Sequence, residues 1–298
     1  MTPTINVIFN QKNKKINILL SISCLFFFLI TSVSFSQNKK LKDHILFYSS
    51  FDGKTSADIA LGDSNLYTAK NYKETANAKK GLNDPNIVLA KGKGLSGDAL
   101  HFKEAKTSAV FYKAYKNVGY NNTSWSGTVS FWLRLDPNKD LAPSYCDPIC
   151  ITDSKWSDAG LWVDFTDHTP RQFRLGAMGD IAVWDPNNDS DETDWNKRTV
   201  TVNPSPFQSK TWTHVAIVFF KVNTKTKSEF KLYINGEFQG VVKDINDPFT
   251  WEAKNGKIML GLGYIGLMDE LTIFDKPLSS KEVKSVYELK NGIKTLFK

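Results

Sequence analysis

Short runs in which apolar and polar residues alternate recur from Ile45 to Asp275, and this two-residue period most constrains what the chain can become. Successive side chains on a strand point to opposite faces, so such alternation describes ribbons with one buried face. The spacing predicts strands over His44–Phe51, Asp98–Phe102, Ala109–Lys113, Thr128–Leu135, Gly160–Phe165, Gln172–Ala177, Trp212–Val222, Glu229–Ile234, Phe238–Lys243, Lys257–Leu262 and Leu267–Phe274. Asn235-Gly236 joins two of them, and both residues tolerate the positive φ that a type I′ hairpin turn requires. Helical periodicity is nearly absent here and no β-α-β order appears, which argues against a parallel sheet. The expectation is an all-β, two-sheet antiparallel sandwich.

One helix is predicted at the end of the chain. Ser279 precedes Glu282 by three residues, a capping box, with Pro277 just outside it. Val283, Val286, Tyr287 and Leu289 give an apolar stripe, and Gly292 stops it. It reads as a structural lid on the sandwich edge.

The first 36 residues read as an address rather than as fold. Lys12, Lys14 and Lys15 precede an apolar run from Ile16 to Phe35, and Ser34 and Ser36 supply small residues at −3 and −1 of a cut before Gln37. That order is the signal-peptide pattern and implies a secreted or extracytoplasmic protein. Uncleaved, a run of about 20 apolar residues is also long enough to anchor the chain in a bilayer. Cys24 sits in mid-run, which speaks against lipid attachment. Cleavage leaves a single domain, residues 37–298, and lowers the formal charge from +7 by the three lysines to +4. So small a surplus implies no polyanion partner, and no basic cluster with interleaved aromatics supports nucleic-acid binding.

Beyond the leader only Cys146 and Cys150 remain, in an oxidising compartment if the chain is exported. Four extended residues span about 13 Å, whereas a disulfide needs Cα atoms within about 7 Å. A local Cys146–Cys150 disulfide therefore requires the segment to turn, which Pro148 would permit. Two polar, irregular stretches, from Ala60 to Leu95 and from Trp184 to Pro206, are long for connections in a compact domain. Specificity is expected to reside there.

Five segments, in this order, carry a family resemblance: Leu46-Phe-Tyr-Ser-Ser-Phe-Asp-Gly53; Gly94-Leu-Ser-Gly-Asp-Ala-Leu-His-Phe102; Gly127-Thr-Val-Ser-Phe-Trp-Leu-Arg134; Trp212-Thr-His-Val-Ala-Ile-Val-Phe219 with Leu232-Tyr-Ile-Asn-Gly236; and Gly266-Leu-Met-Asp-Glu-Leu-Thr-Ile-Phe-Asp-Lys-Pro-Leu-Ser279. Together they resemble the laminin G-like, concanavalin A-like lectin/glucanase jelly rolls of bacterial exported proteins. The resemblance implies that the first and last strands are adjacent and that the domain binds glycans or extracellular partners. It also implies a calcium ion tying the chain ends together, with Asp52 and Asp269 as ligands and main-chain carbonyls, Glu270 or Asp275 helping. The other reading of those residues is a turn at Asp52-Gly53 and an edge residue at Asp269.

Aromatic residues in or near the loops are candidates for sugar stacking: Trp156, Trp162, Trp184 and Trp195, with Tyr145 nearby. Asp158, Asp164, Arg171 and Asn187 could take hydroxyl groups, the usual layout of an apolar site with a few placed polar groups. Each tryptophan could equally anchor a loop or fill a core. Trp132, in the strand through Val129, Phe131 and Leu133, lies either in a covered layer or on a concave face. The acidic run Asp185–Asp194 begins like an EF-hand loop, but Ser190 replaces its glycine and Asn196 its closing glutamate. A solvated loop is the simpler reading.

Retaining hydrolysis wants two carboxylates about 5–5.5 Å apart. No Glu-x-Asp-x-(x)-Glu occurs, Asp164 and Asp167 fall on opposite strand faces, and His44, His101, His168 and His214 are scattered. The reading is an exported, non-catalytic binding module for carbohydrate, with calcium as a structural cofactor. A polysaccharide-active glycosidase or lyase on the same fold, and a cell-surface protein-binding module, are the alternatives.

Overall fold

The computed structural model describes residues 41–105, 108–224, 226–289 and 291–297. The segment read as a signal peptide, Cys24 included, lies outside them. Among the described residues no helix is long and apolar enough to cross a membrane.

From His44 onward the chain builds two antiparallel sheets around a shared apolar core. The first runs in the order Glu237–Ile245, Ser228–Ile234, Thr213–Val222, Trp125–Arg134, Gly266–Phe274, Ile45–Ser49 and Ile59–Ala60. Ala99–Phe102 pairs with Gly266–Phe274 and carries Ile87–Ala90. The second runs Thr199–Val202, Phe173–Met178, Gly160–Phe165, Cys146–Thr152, Lys257–Leu262, Ala109–Lys113, Leu66–Ala69 and Lys79–Lys80. The first and last long strands are neighbours, with Ile45 opposite Phe274 and Ser49 opposite Leu271.

The alternation explains the layers. Along Trp125–Arg134, Val129, Phe131 and Leu133 enter the core between the sheets. Trp132 points the other way and is buried all the same, because the helix Ser280–Tyr287 covers it. Its ring stacks on Tyr287 at 5.7 Å and lies 5.0 Å from His214. His214 is itself buried, which lowers its pKa to about 3 and keeps it neutral. The helix begins with the expected capping box between Ser279 and Glu282 and buries Val283 and Val286. Asn235 and Gly236 take φ of 52° and 78°, as the hairpin requires.

The expected disulfide does not form. Cys146 and Cys150 are both free and buried, and both belong to one extended strand in the middle of the second sheet. Pro148 is accommodated not by a turn but by a bulge: Ile149 faces Val163 while Cys146 faces Phe165. One extra residue thus fits in, so Cys146 enters the main core and Cys150 a second apolar cluster with Trp162. Separation along an extended ribbon, and opposite facing, keep the thiols apart.

The two irregular stretches are partly ordered. The first contains Leu66–Ala69 and Ile87–Ala90; the second contains the short helix Glu192–Asn196 and the edge strand Thr199–Val202.

Candidate functional site

The second apolar cluster lies on the face of the second sheet turned away from the core, and a cleft opens beside it. In Gly160–Phe165, Leu161, Val163 and Phe165 point into the core, so Trp162 and Asp164 point outward. The neighbouring strands repeat the pattern: Phe173 and Leu175 inward with Arg174 outward, Val200 inward with Thr199 and Thr201 outward. The bulge adds Asp147 to the same surface. Together with Tyr145, Trp156, Gln172, Glu192, Trp195 and Asn196 these residues line a cavity of about 610 Å³, within the range of small-molecule sites.

One wall is aromatic. Trp156 packs edge-on to Trp162 at 6.2 Å and against Trp195 at 5.2 Å. Trp195 in turn meets the edge of Trp184 at 5.3 Å. The indole N–H groups hold the loop in place: Trp162 donates to the carbonyl of Trp156 and Trp184 to that of Ser157, each at 3.0 Å. Trp156 stays 43% exposed, whereas Trp184 is only 8% exposed and acts as the support behind Trp195.

The floor is polar. Arg174 donates from Nε to Asp164 Oδ1 at 2.9 Å and also binds the second oxygen. Its guanidinium lies between the Tyr145 and Trp162 rings, 5.1 and 5.7 Å from their centroids. Asp164 is therefore a buried carboxylate with a committed counter-ion; burial raises its pKa and Arg174 pulls it back. Asp147 has no such partner. Burial, then the charge of Asp164, pushes its pKa up to about 8, with Arg174 opposing.

Of the residues singled out from sequence, the fold brings Trp156, Trp162, Trp195 and Asp164 to one cleft, with Trp184 behind it. Arg171 lies elsewhere. It is buried, and its guanidinium binds the carbonyls of Ser144, Thr166, Leu141 and Ala142, which anchors the segment leading to Tyr145. Asp158 accepts from the Ile181 amide and holds the loop rather than lining the cleft. Sequence reasoning passed over Asp147, Arg174, Glu192, Thr199 and Thr201. The alternation Phe173-Arg-Leu and Thr199-Val-Thr-Val202 carried the signal for three of them.

The acidic run is a folded loop. Asp185 accepts from the Asp189 and Ser190 amides and the Ser190 hydroxyl, and Asp191 caps the helix Glu192–Asn196. At the chain ends, both oxygens of each carboxyl group already accept hydrogen bonds. Asp52 takes them from the Asp98 amide and from Lys294 Nζ, the latter at 2.8 Å. Asp269 takes them from the Leu95 and Glu270 amides, and Glu270 from the Tyr48 hydroxyl and the Ile293 amide. Lys294 also donates to the Ser96 carbonyl at 2.7 Å. These residues do not fit a calcium ion: their carboxyl oxygens are already engaged, and an ammonium group bridges Asp52 and the Ser96 carbonyl. Among the described residues no group of three or more His, Cys, Asp or Glu could hold a metal.

Two solved structures are similar to the chain. Domain 4 of AbnA, an extracellular GH43 arabinanase from Geobacillus stearothermophilus solved with arabinotriose, is similar at 18% identity and a TM-score of 0.49. The match covers 81% of this chain and 97% of that domain. The receptor binding domain of botulinum neurotoxin mosaic serotype C/D is similar at 14% identity and a TM-score of 0.51 over 83% of this chain. This chain spans about half, 51%, of that domain's length. At such identities the likeness concerns the fold. No curated protein matches the chain in sequence. A laminin G family model, described as the concanavalin A-like lectin/glucanases superfamily, matches residues 112–284, more than half of the chain. The chain belongs to the concanavalin A-like lectin/glucanase superfamily.

Proposed function

We propose that this is an exported binding module that takes a saccharide in the cleft formed by Trp156, Trp162, Trp195, Asp147, Asp164 and Arg174. The supporting observation is the pairing of a three-tryptophan wall with a hydrogen-bonding floor on the free face of the second sheet. Sugar C–H faces are apolar and lie well on indole rings, while their hydroxyls need donors and acceptors at the edge. The only charge pair in the floor, Arg174–Asp164, is internally compensated, which suits recognition of hydroxyl groups. Export is supported by the basic and apolar order of the first 36 residues.

Affinity electrophoresis of the wild type and of Trp195→Ala through gels containing a panel of polysaccharides tests this. At least one polysaccharide should retard the wild type and release the variant. No retardation by any of them would overturn the reading, and liberation of reducing sugar would replace it with a polysaccharide-active enzyme.

A further inference from the structure

Asp147 is the cleft carboxyl that the fold buries without a counter-ion. Asp164 is held by Arg174, and Glu192 sits in the first turn of the helix Glu192–Asn196. The bulge turns Asp147 to the cleft, opposite Leu262 on one side and next to Asp164 on the other. Three carboxyl groups thus line the cavity against a single cation, and that cation is already engaged.

We infer that Asp147 sets what the cleft accepts: as a neutral carboxyl it donates a hydrogen bond to a sugar oxygen, and the site admits uncharged saccharides while refusing those that carry carboxylates. The inference rests on the saccharide reading given above. An incoming uronate would bring its carboxylate to a lining whose one cation, Arg174, is already held by Asp164, with no free guanidinium or ammonium to receive it. Moving a carboxylate out of water without a counter-ion is costly. An uncharged ring meets no such barrier.

Of the charged groups that act on Asp147, Asp164 opposes its ionisation and only Arg174 favours it. Asp164 faces it from Gly160–Phe165 and disfavours its charge; Arg174, from Phe173–Met178, favours it but is bound to Asp164. Tyr72, Cys146 and Cys150 also sense Asp147, and all three are pushed upward by burial, hence uncharged. Tyr145 and Glu192 complete the rim. With ionisation near pH 8, the donor is present at neutral pH and lost in base.

The test is calorimetric titration of the full chain with the uncharged polysaccharide that binds best, at about pH 6.5 and about pH 9.5, beside the same titration with a polyuronate. Wild-type affinity should fall about tenfold or more in base, and the polyuronate should not bind at either pH. Asp147→Asn keeps a donor without a titratable proton and should show a flat profile; its melting midpoint reports folding. Equal wild-type affinity at both pH values, or preferential binding of the polyuronate, would overturn the role of Asp147 while leaving saccharide binding intact. No binding to any saccharide at either pH would instead overturn the reading beneath it.

Discussion

The indole of Trp162 lies directly across the backbone of Gly176, its partner on the next strand. A Cβ at Gly176 would stand 2.1 Å from Trp162 Cζ2, far inside van der Waals contact. Nothing but hydrogen at that position lets the ring lie flat on the sheet, with Trp156 at its edge and the Arg174 guanidinium near it. The cleft therefore depends on a residue that itself offers it no side chain.

Gly176→Ala should push Trp162 out of place and abolish retardation by the bound polysaccharide, at a stability cost of about 1–3 kcal/mol. Binding and thermal melting measured together check both parts. Undiminished binding would mean that the position of Trp162 does not matter.

The chain-end cluster predicts the response to metal. Because Lys294 occupies the gap between Asp52 and Ser96, the melting midpoint should be the same with calcium and with chelator. Lys294→Met removes the ammonium and leaves Asp52 near Asp269 and Glu270 unbalanced. The pair is about one-third exposed, so the loss is set at about 1 kcal/mol, or about 2–4 °C. A calcium-dependent midpoint in the wild type would contradict this account.

Buried carboxyl groups set the pH dependence of stability. Burial first, and then mutual repulsion in the case of Asp269, raises Asp269 to about 8 and Glu270 to about 7. The unfolded chain releases these protons near pH 4, and the folded chain holds them until near neutrality or above. In that interval the folded state binds more protons, so stability falls as pH rises. Asp63, at about 2 because hydrogen bonds from Tyr67 and Asn65 outweigh its burial, acts oppositely and only in acid. Melting should therefore peak in mildly acidic buffer and decline toward pH 9; a rise over that range would refute the assignment.

Cys146 and Cys150 should be thiols in the folded protein. A thiol reagent should find them only after denaturation, since both are buried, and a reductant should leave the melting midpoint unchanged. A midpoint lowered by reductant would restore the disulfide.

Local rules reached far into this fold because alternation, the Asn235-Gly236 turn and the Ser279–Glu282 box each act within a few residues. They missed the Cys146–Thr152 strand, where Pro148 and two cysteines imitate a turn. Its place between Gly160–Phe165 and Lys257–Leu262 comes from pairing more than a hundred residues apart on one side. The same bulge carried Asp147 into the cleft, so missing the strand meant missing the carboxyl. Aromatic character was enough to suggest Trp156, Trp162 and Trp195. Arg171 and Arg174 could not be told apart by type: only register decides that one ties carbonyls together below the surface and the other meets Asp164.

The indole N–H resonances of the eight tryptophans offer the most direct test of the proposed cleft. On titration with the best-binding oligosaccharide, the signals of Trp156, Trp162 and Trp195 should move in step, while those of Trp125, Trp132 and Trp251, buried elsewhere in the fold, stay in place. Movement confined to Trp132 or Trp212 would put the ligand on the other sheet and contradict the assignment.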